Sequence, residues 1–154
     1  MNDEKHKIYQ GDGFFKDFAC TFNDPATIEE IEAFEKDYNI IVPPDFREFL
    51  LISDGMNLLE DINIYGLGDI MLIIETGIYK EGVYAIAYYN GDNIVINSAD
   101  VSTGKYLYTG EHDSVDEFKF LDTNFETLLD RLISINGRIY WDWFNNYKYH
   151  NFGV

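Results

Sequence analysis

The chain has 154 residues, enough for one domain with a sizeable core, and sets 28 Asp and Glu against 11 Lys and Arg for a formal net charge of −17. That balance repels nucleic acid and anionic membranes, so neither is expected as a direct partner, and a basic protein is. Twelve Phe, twelve Tyr and two Trp separate it from disordered acidic chains, which are poor in rings.

Residues 1–23 hold no single period. Ile8, Phe14, Phe15, Phe18 and Phe22 fit an irregular helix laid on the core, interrupted at its front by Gly11-Asp12-Gly13. The first clear helix opens at Thr27. Thr27 and Glu30 have capping-box spacing, and Ile28, Ile31, Phe34 and Tyr38 recur at three and four to give one apolar stripe. Glu29, Glu32, Glu35 and Asp37 fall outside that stripe or at the helix dipole's positive end.

Ile40-Ile41-Val42 is a short extended link into Pro43-Pro44, where the second proline suits the first turn of a new helix. Phe46, Phe49 and Leu50 form its buried stripe, and Asp54-Gly55 is expected to close it. From there the pattern turns to sheet. Asn57 to Tyr65 and Ile70 to Ile74 read as short strands, with Gly66-Leu67-Gly68 as a turn between them. Val83 to Tyr89 and Ile94 to Ile96 pair across an Asn90-Gly91-Asp92-Asn93 turn. Lys105 to Tyr108 and Val115 to Leu121 add two more strands. Several short strands joined by tight turns predict a largely antiparallel sheet.

The last helix is predicted to open with a second capping box, Thr123 and Glu126, to bury Phe125, Leu128, Leu129, Leu132 and Ile133, and to end at Asn136-Gly137. The ring-dense tail, Ile139 to His150, is either a terminal helix packed on the sheet or an exposed aromatic patch. A lone Cys20 excludes an internal disulfide framework and fits a reducing compartment. The start, Met1 to Lys7, lacks the regions of a secretory signal, and no apolar run approaches the ~18 residues that span a bilayer. A cytoplasmic protein of one domain, residues 1–154, is expected.

The residues offer little catalytic chemistry. His6, His112 and His150 are isolated in the sequence, with no second metal-binding Cys or His at ligand spacing, so neither metal nor cofactor is expected. Ser53 and Ser98 lack a nucleophile elbow, and no glycine-rich phosphate loop precedes a helix. So many acids always allow some close carboxylate pair, which makes that signal uninformative for glycoside hydrolysis. Tyr88, Tyr89, Tyr106 and Trp141 can stack on sugars, but burial of alternate strand residues is the simpler account. The acid itself is uneven. Between Asp24 and Glu75 thirteen carboxylates face only Lys36 and Arg47, which accounts for −11 of the −17. Such a face is either plain solvation or a docking surface.

The segment from Thr27 to Gly55 resembles the opening motif of the SMI1/KNR4 family, also called the SUKH superfamily. The likeness rests on Ile28, Ile31, Phe34 and Glu35, then Val42-Pro43, then Asp45-Phe46-Arg47-Glu48-Phe49-Leu50, and finally Asp54-Gly55. Where the family usually has Leu-Pro and Asn-Gly, this chain has Val42-Pro43 and Asp54-Gly55. The Gly91-Asp92-Asn93 turn with Ile94 to Ile96, the Tyr106 strand ahead of His112, and the Phe125, Leu128 and Leu129 helix are also similar. The likeness covers about residues 27–133 and extends to small Bacillus members of the antitoxin type.

The resemblance implies an α+β fold, a central mainly antiparallel sheet flanked by helices. It implies an immunity protein, not an enzyme, that neutralises a cognate toxin delivered between cells by stoichiometric binding. Many such toxins are nucleases, whose basic substrate surfaces an acidic binder can occupy. Fungal members are instead regulatory scaffolds, and a small acidic glycan-binding module or hydrolase is the alternative from another class. Candidate toxin contacts are Glu29, Glu32, Asp61, Asp69 and Asp113, with Tyr89, Tyr108 and Trp141 as aromatic anchors. Thr27, Glu35, Pro43, Phe46, Arg47, Phe49, Leu50 and Gly55 are expected to support the fold. The sequence leaves the oligomeric state open.

Overall fold

The computed structural model describes residues 6–9, 15–18, 20–58, 62–112, 114–134 and 149–153. Strand β1 (His6–Tyr9) pairs with β2 (Phe15–Phe18) as a separate two-stranded ribbon. The main sheet is built from β3 (Cys20–Phe22), β4 (Met56–Leu58), β5 (Ile62–Ile64), β6 (Val83–Tyr89), β7 (Asp92–Asn97), β8 (Leu107–Glu111), β9 (Phe118–Phe120) and β10 (Tyr149–His150). Its eight strands lie in the order β10-β9-β8-β7-β6-β5-β4-β3, every neighbouring pair antiparallel. Four α-helices accompany it among the described residues, α1 (Ile28–Tyr38), α2 (Pro44–Leu50), α3 (Leu67–Glu75) and α4 (Phe125–Ser134), with a 3-10 helix at Ser98–Thr103. The fold is α+β, as expected.

The central strands explain why the sheet must be covered on both faces. All but one residue of β6 and the four inner residues of β7 are buried, so neither strand shows the in–out alternation of a half-exposed sheet. On one face Tyr84 meets Phe34 of α1 edge-on at 6.2 Å, and its hydroxyl donates to the Ile41 carbonyl at 2.7 Å. Phe46 of α2 and Phe125 of α4 pack at 4.9 Å and tie those helices together. On the other face Tyr108 packs on Phe152 at 4.9 Å, and Tyr79 on Phe118 at 6.0 Å. Asn90 and Gly91 both take positive φ, 47° and 94°, as a two-residue hairpin turn requires.

Several elements depart from the sequence reading. The predicted Ile70 to Ile74 strand, with its Gly66-Leu67-Gly68 turn, is helix α3. Its apolar run fits either period, but Gly66 is an extended N-cap, and the buried Leu67 and Ile70 are three apart while Leu72 faces out. The described parts of residues 1–23 are strands, not an irregular helix. Gly55 does not close α2, which ends at Leu50 with Leu51 still right-handed; instead Gly55, at φ 93°, turns the chain into β4. The cap of α4 is Asn124, whose Oδ1 accepts the Thr127 N–H at 2.9 Å, whereas Thr123 is buried and Glu126 gives its N–H to Asp45. Ile28 and Ile133, read as buried, are exposed. Gly11-Asp12-Gly13, the Asn136-Gly137 stop and most of the ring-dense tail lie outside the described residues.

The 53–55 loop and the start of α3 touch through backbone. A Cβ on Gly55 would lie 2.7 Å from the Gly66 nitrogen, and one on Gly66 would fall inside van der Waals contact with the Asp54 carbonyl oxygen. Gly68, in the same helix, has nothing within 4 Å of its Cβ position. Gly55→Ala is therefore expected to lower unfolding free energy by about 2–4 kcal/mol through overpacking and its positive φ, and Gly66→Ala by about 1–3 kcal/mol. Gly68→Ala should raise it by ~0.5–1 kcal/mol. Urea unfolding of the three variants checks this order, and a Gly66→Ala midpoint equal to wild type would show that the two loops do not touch.

Candidate protein-binding surface

The acids fall into two sets, and the first is engaged inside the fold. Glu30 completes the capping box: the Thr27 hydroxyl accepts the Glu30 N–H at 3.2 Å, while the Glu30 carboxylate accepts the Thr27 N–H at 2.8 Å and the Thr27 hydroxyl at 3.0 Å, and these last two bonds lower its pKa from the ordinary value. Glu35 accepts the Val42 N–H at 2.8 Å and pairs with the Arg47 guanidinium, which clamps α1, the link and α2. Asp45 accepts the Tyr106 hydroxyl and, at 3.0 Å, the Glu126 N–H, joining α2 to α4. Asp100 accepts the Tyr108 hydroxyl at 2.6 Å. Burial first, and the neighbouring carboxylate second, push both hydroxyls well above the ordinary tyrosine range, so they stay protonated donors.

The second set faces solvent. Glu29 and Glu32 lie one turn apart on the exposed side of α1, and Asp69 sits exposed in the first turn of α3. None of the three carboxylates makes a hydrogen bond or ion pair to another described residue. The two helices run side by side in the same direction. Tyr38 near the end of α1 donates to Glu75 at the end of α3 at 2.8 Å, and the charges of Glu30 and Asp69 both act on Asp54 at the opposite ends. Glu29 and Glu32 thus mark the exposed side of α1, and Asp69 the exposed first turn of its neighbour α3.

Apolar side chains stand among them. Ile28, one turn before Glu32, is 53 % exposed, and Leu72, one turn after Asp69, is 65 % exposed. Sequence reasoning missed both, because it placed Ile28 in the buried stripe and Leu72 in a strand. The available signal was the three-residue spacing of Asp69 and Leu72, a shared helical face. Two proposed anchors need correction. Tyr89 and Tyr108 are each 5 % exposed, held in strands covered on both faces, so their rings cannot meet a partner. Asp61, Asp113 and Trp141 lie outside the described residues.

Among the described residues no group of three or more His, Cys, Asp or Glu is placed to hold a metal ion, and no helix is long and apolar enough to cross a membrane. The surface on α1 and α3 offers fixed negative charge around small apolar contacts. Chemically, that arrangement can attract and seat a basic surface.

A model of the SMI1 / KNR4 family (SUKH-1) matches residues 25–131. The chain is 34 % identical to YnaB of Bacillus subtilis (strain 168), an uncharacterized protein, over 129 residues that cover 82 % of this chain and 90 % of YnaB. It is 29 % identical to YobM of the same organism, also uncharacterized, over 151 residues covering 89 % of this chain and 82 % of YobM.

Asp54 lies between the two sets of acids. Burial raises its carboxyl above 3.8, the 2.7 Å bond from the Leu67 N–H opposes this, and the charges of Glu30 and Asp69 add to the rise. The folded state therefore holds this proton more tightly than the unfolded chain. Stability from this group is full below the unfolded carboxyl value and is lost as pH rises through the raised folded value. Asp54→Asn keeps an oxygen for Leu67 but cannot ionise. Its stability relative to wild type should grow as pH rises through the acidic range, measured by urea unfolding of both proteins at several pH values. A difference that shrinks with pH would mean that the Leu67 bond, not burial, governs the carboxyl.

Proposed function

Because the chain belongs to the SMI1/KNR4 family, whose members are non-catalytic scaffolds associated with toxin immunity and protein binding, we propose that it is an immunity protein for a cognate bacterial toxin. It acts by stoichiometric binding in the producing cell, and the toxin carries a basic domain, a nuclease being the best fit to the charge. The carrying observation is that Glu29 and Glu32 on α1 and Asp69 on α3 are exposed acids without a bond to another described residue, and that each helix also exposes an apolar side chain, Ile28 and Leu72. Exposed charge accelerates encounter, while exposed apolar contacts slow dissociation. No observation favours the glycan-binding or hydrolase alternative or the regulatory-scaffold reading over this one.

Co-purification with an inactive form of the toxin domain encoded immediately upstream, at low and high salt, tests the reading. A one-to-one complex weakened but not abolished by salt is expected. The triple variant E29Q/E32Q/D69N should associate roughly tenfold more slowly at low salt, with a smaller change in dissociation, as read by stopped-flow binding. Absence of a complex at either ionic strength would reject the cognate-pair reading.

A further inference from the structure

Where β7, β8 and β9 meet, the sheet carries a recess of about 220 Å³ whose walls include Asp92, Thr109, Glu111, Glu117 and Lys119. Asp92 and Glu111 are direct cross-strand partners, and one feature there runs against folding economy. Thr109 is only 2 % exposed, yet its hydroxyl oxygen has no hydrogen-bond partner among the described residues. A buried hydroxyl left unpaired is unfavourable unless something supplies its bond. Asp92 and Lys119 have interactions of their own, which leaves Glu111 and Glu117 as the open acids of the recess.

We infer that this recess receives the guanidinium group of an arginine from a partner protein, with Glu111 and Glu117 as charge partners and the Thr109 hydroxyl as acceptor. The carboxylates do not converge as a metal-ligand set. A planar cation with five N–H donors spans separated oxygens in a way that a bare ion or an ammonium cannot. The recess is also smaller than the ~300–1,000 Å³ of typical small-molecule pockets, a size that suits one side-chain head. The inference rests on the reading of the chain as a binder of basic protein and adds the residue type that the partner inserts.

The test uses the full isotope-labelled chain titrated with N-acetyl-arginine amide, with the lysine and norleucine analogues as controls, followed by amide shifts at Gly110, Glu111 and Glu117. The arginine probe should give saturable shifts confined to the recess and bind about fivefold more tightly than the lysine probe, and Glu117→Gln should weaken it by about fivefold. Thr109→Val should weaken it similarly while raising the thermal midpoint, because it removes an unpaired buried hydroxyl. A merely structural threonine would not separate the two readouts in that way. Equal shifts for arginine and lysine spread over all acidic surfaces, no loss of binding in Thr109→Val, or a lowered midpoint in that variant would each overturn the inference. Since the probe replaces the partner, a missing toxin complex rejects the immunity reading without touching the recess result, and a silent recess rejects the recess alone.

Discussion

Four segments of chain meet at Ser53-Asp54-Gly55, and the rest of the helical layer takes its position from that junction. Ser53, with no exposed surface, accepts the Asn23 N–H at 3.0 Å and lies 2.6 Å from the Gly55 carbonyl. Asp54 gives its N–H to the Asp24 carbonyl at 3.0 Å and accepts the first amide of α3. Gly55 and Gly66 then permit a backbone approach that any side chain would block. One tripeptide thus fixes the exit of β3, the end of α2, the entry of β4 and the start of α3. Asp54 also satisfies a helix N-terminus from a distant loop, which the extended Gly66 cannot do with a side chain of its own.

A second polar tie organises the opposite side of that layer. Asp45 binds groups from the approach to β8 and from α4 with its two oxygens, so α2 and α4 are held by one carboxylate as well as by the Phe46–Phe125 contact. Together with Glu35 and Arg47, these groups show why so acidic a chain folds. Part of its charge in this region is met by hydrogen-bond donors, and other acids, among them Asp24, Asp37 and Glu48, stay exposed to solvent.

Local signals were legible where a single short-range bond decides the outcome. The Thr27–Glu30 box, Pro44 at the start of α2, the Asn90-Gly91 turn and the β6–β7 pairing all follow from residues within a few positions of each other. Legibility failed where a distant residue decides. The run from Leu67 to Glu75 is too apolar to show its period, and its helical start is set by Asp54, thirteen residues earlier. Thr123 and Glu126 have box spacing, but Asp45, eighty-one residues away, takes the Glu126 amide and Asn124 assumes the cap. The exposed acids were legible in part: Glu29, Glu32 and Asp69 were readable as outward, whereas the side-by-side placement of α1 and α3 rests on contacts such as Tyr38 with Glu75. Tyr89 and Tyr108 could be judged only once both faces of the sheet were known to be covered.

The continuous burial of β6 has a consequence beyond the folded state. Val83-Tyr84-Ala85-Ile86-Ala87-Tyr88-Tyr89 is seven residues long, uncharged and rich in strand formers, the composition that self-associates as stacked strands when exposed. In the finished fold it is guarded by β5 and β7 at its edges. During synthesis it emerges before β7 exists to cover it. By then the chain has already delivered the strongly acidic stretch from Asp24 to Glu75, so nascent copies repel one another while the hazardous segment waits for its partner. The acidity thus protects the making of the protein independently of anything the finished protein binds.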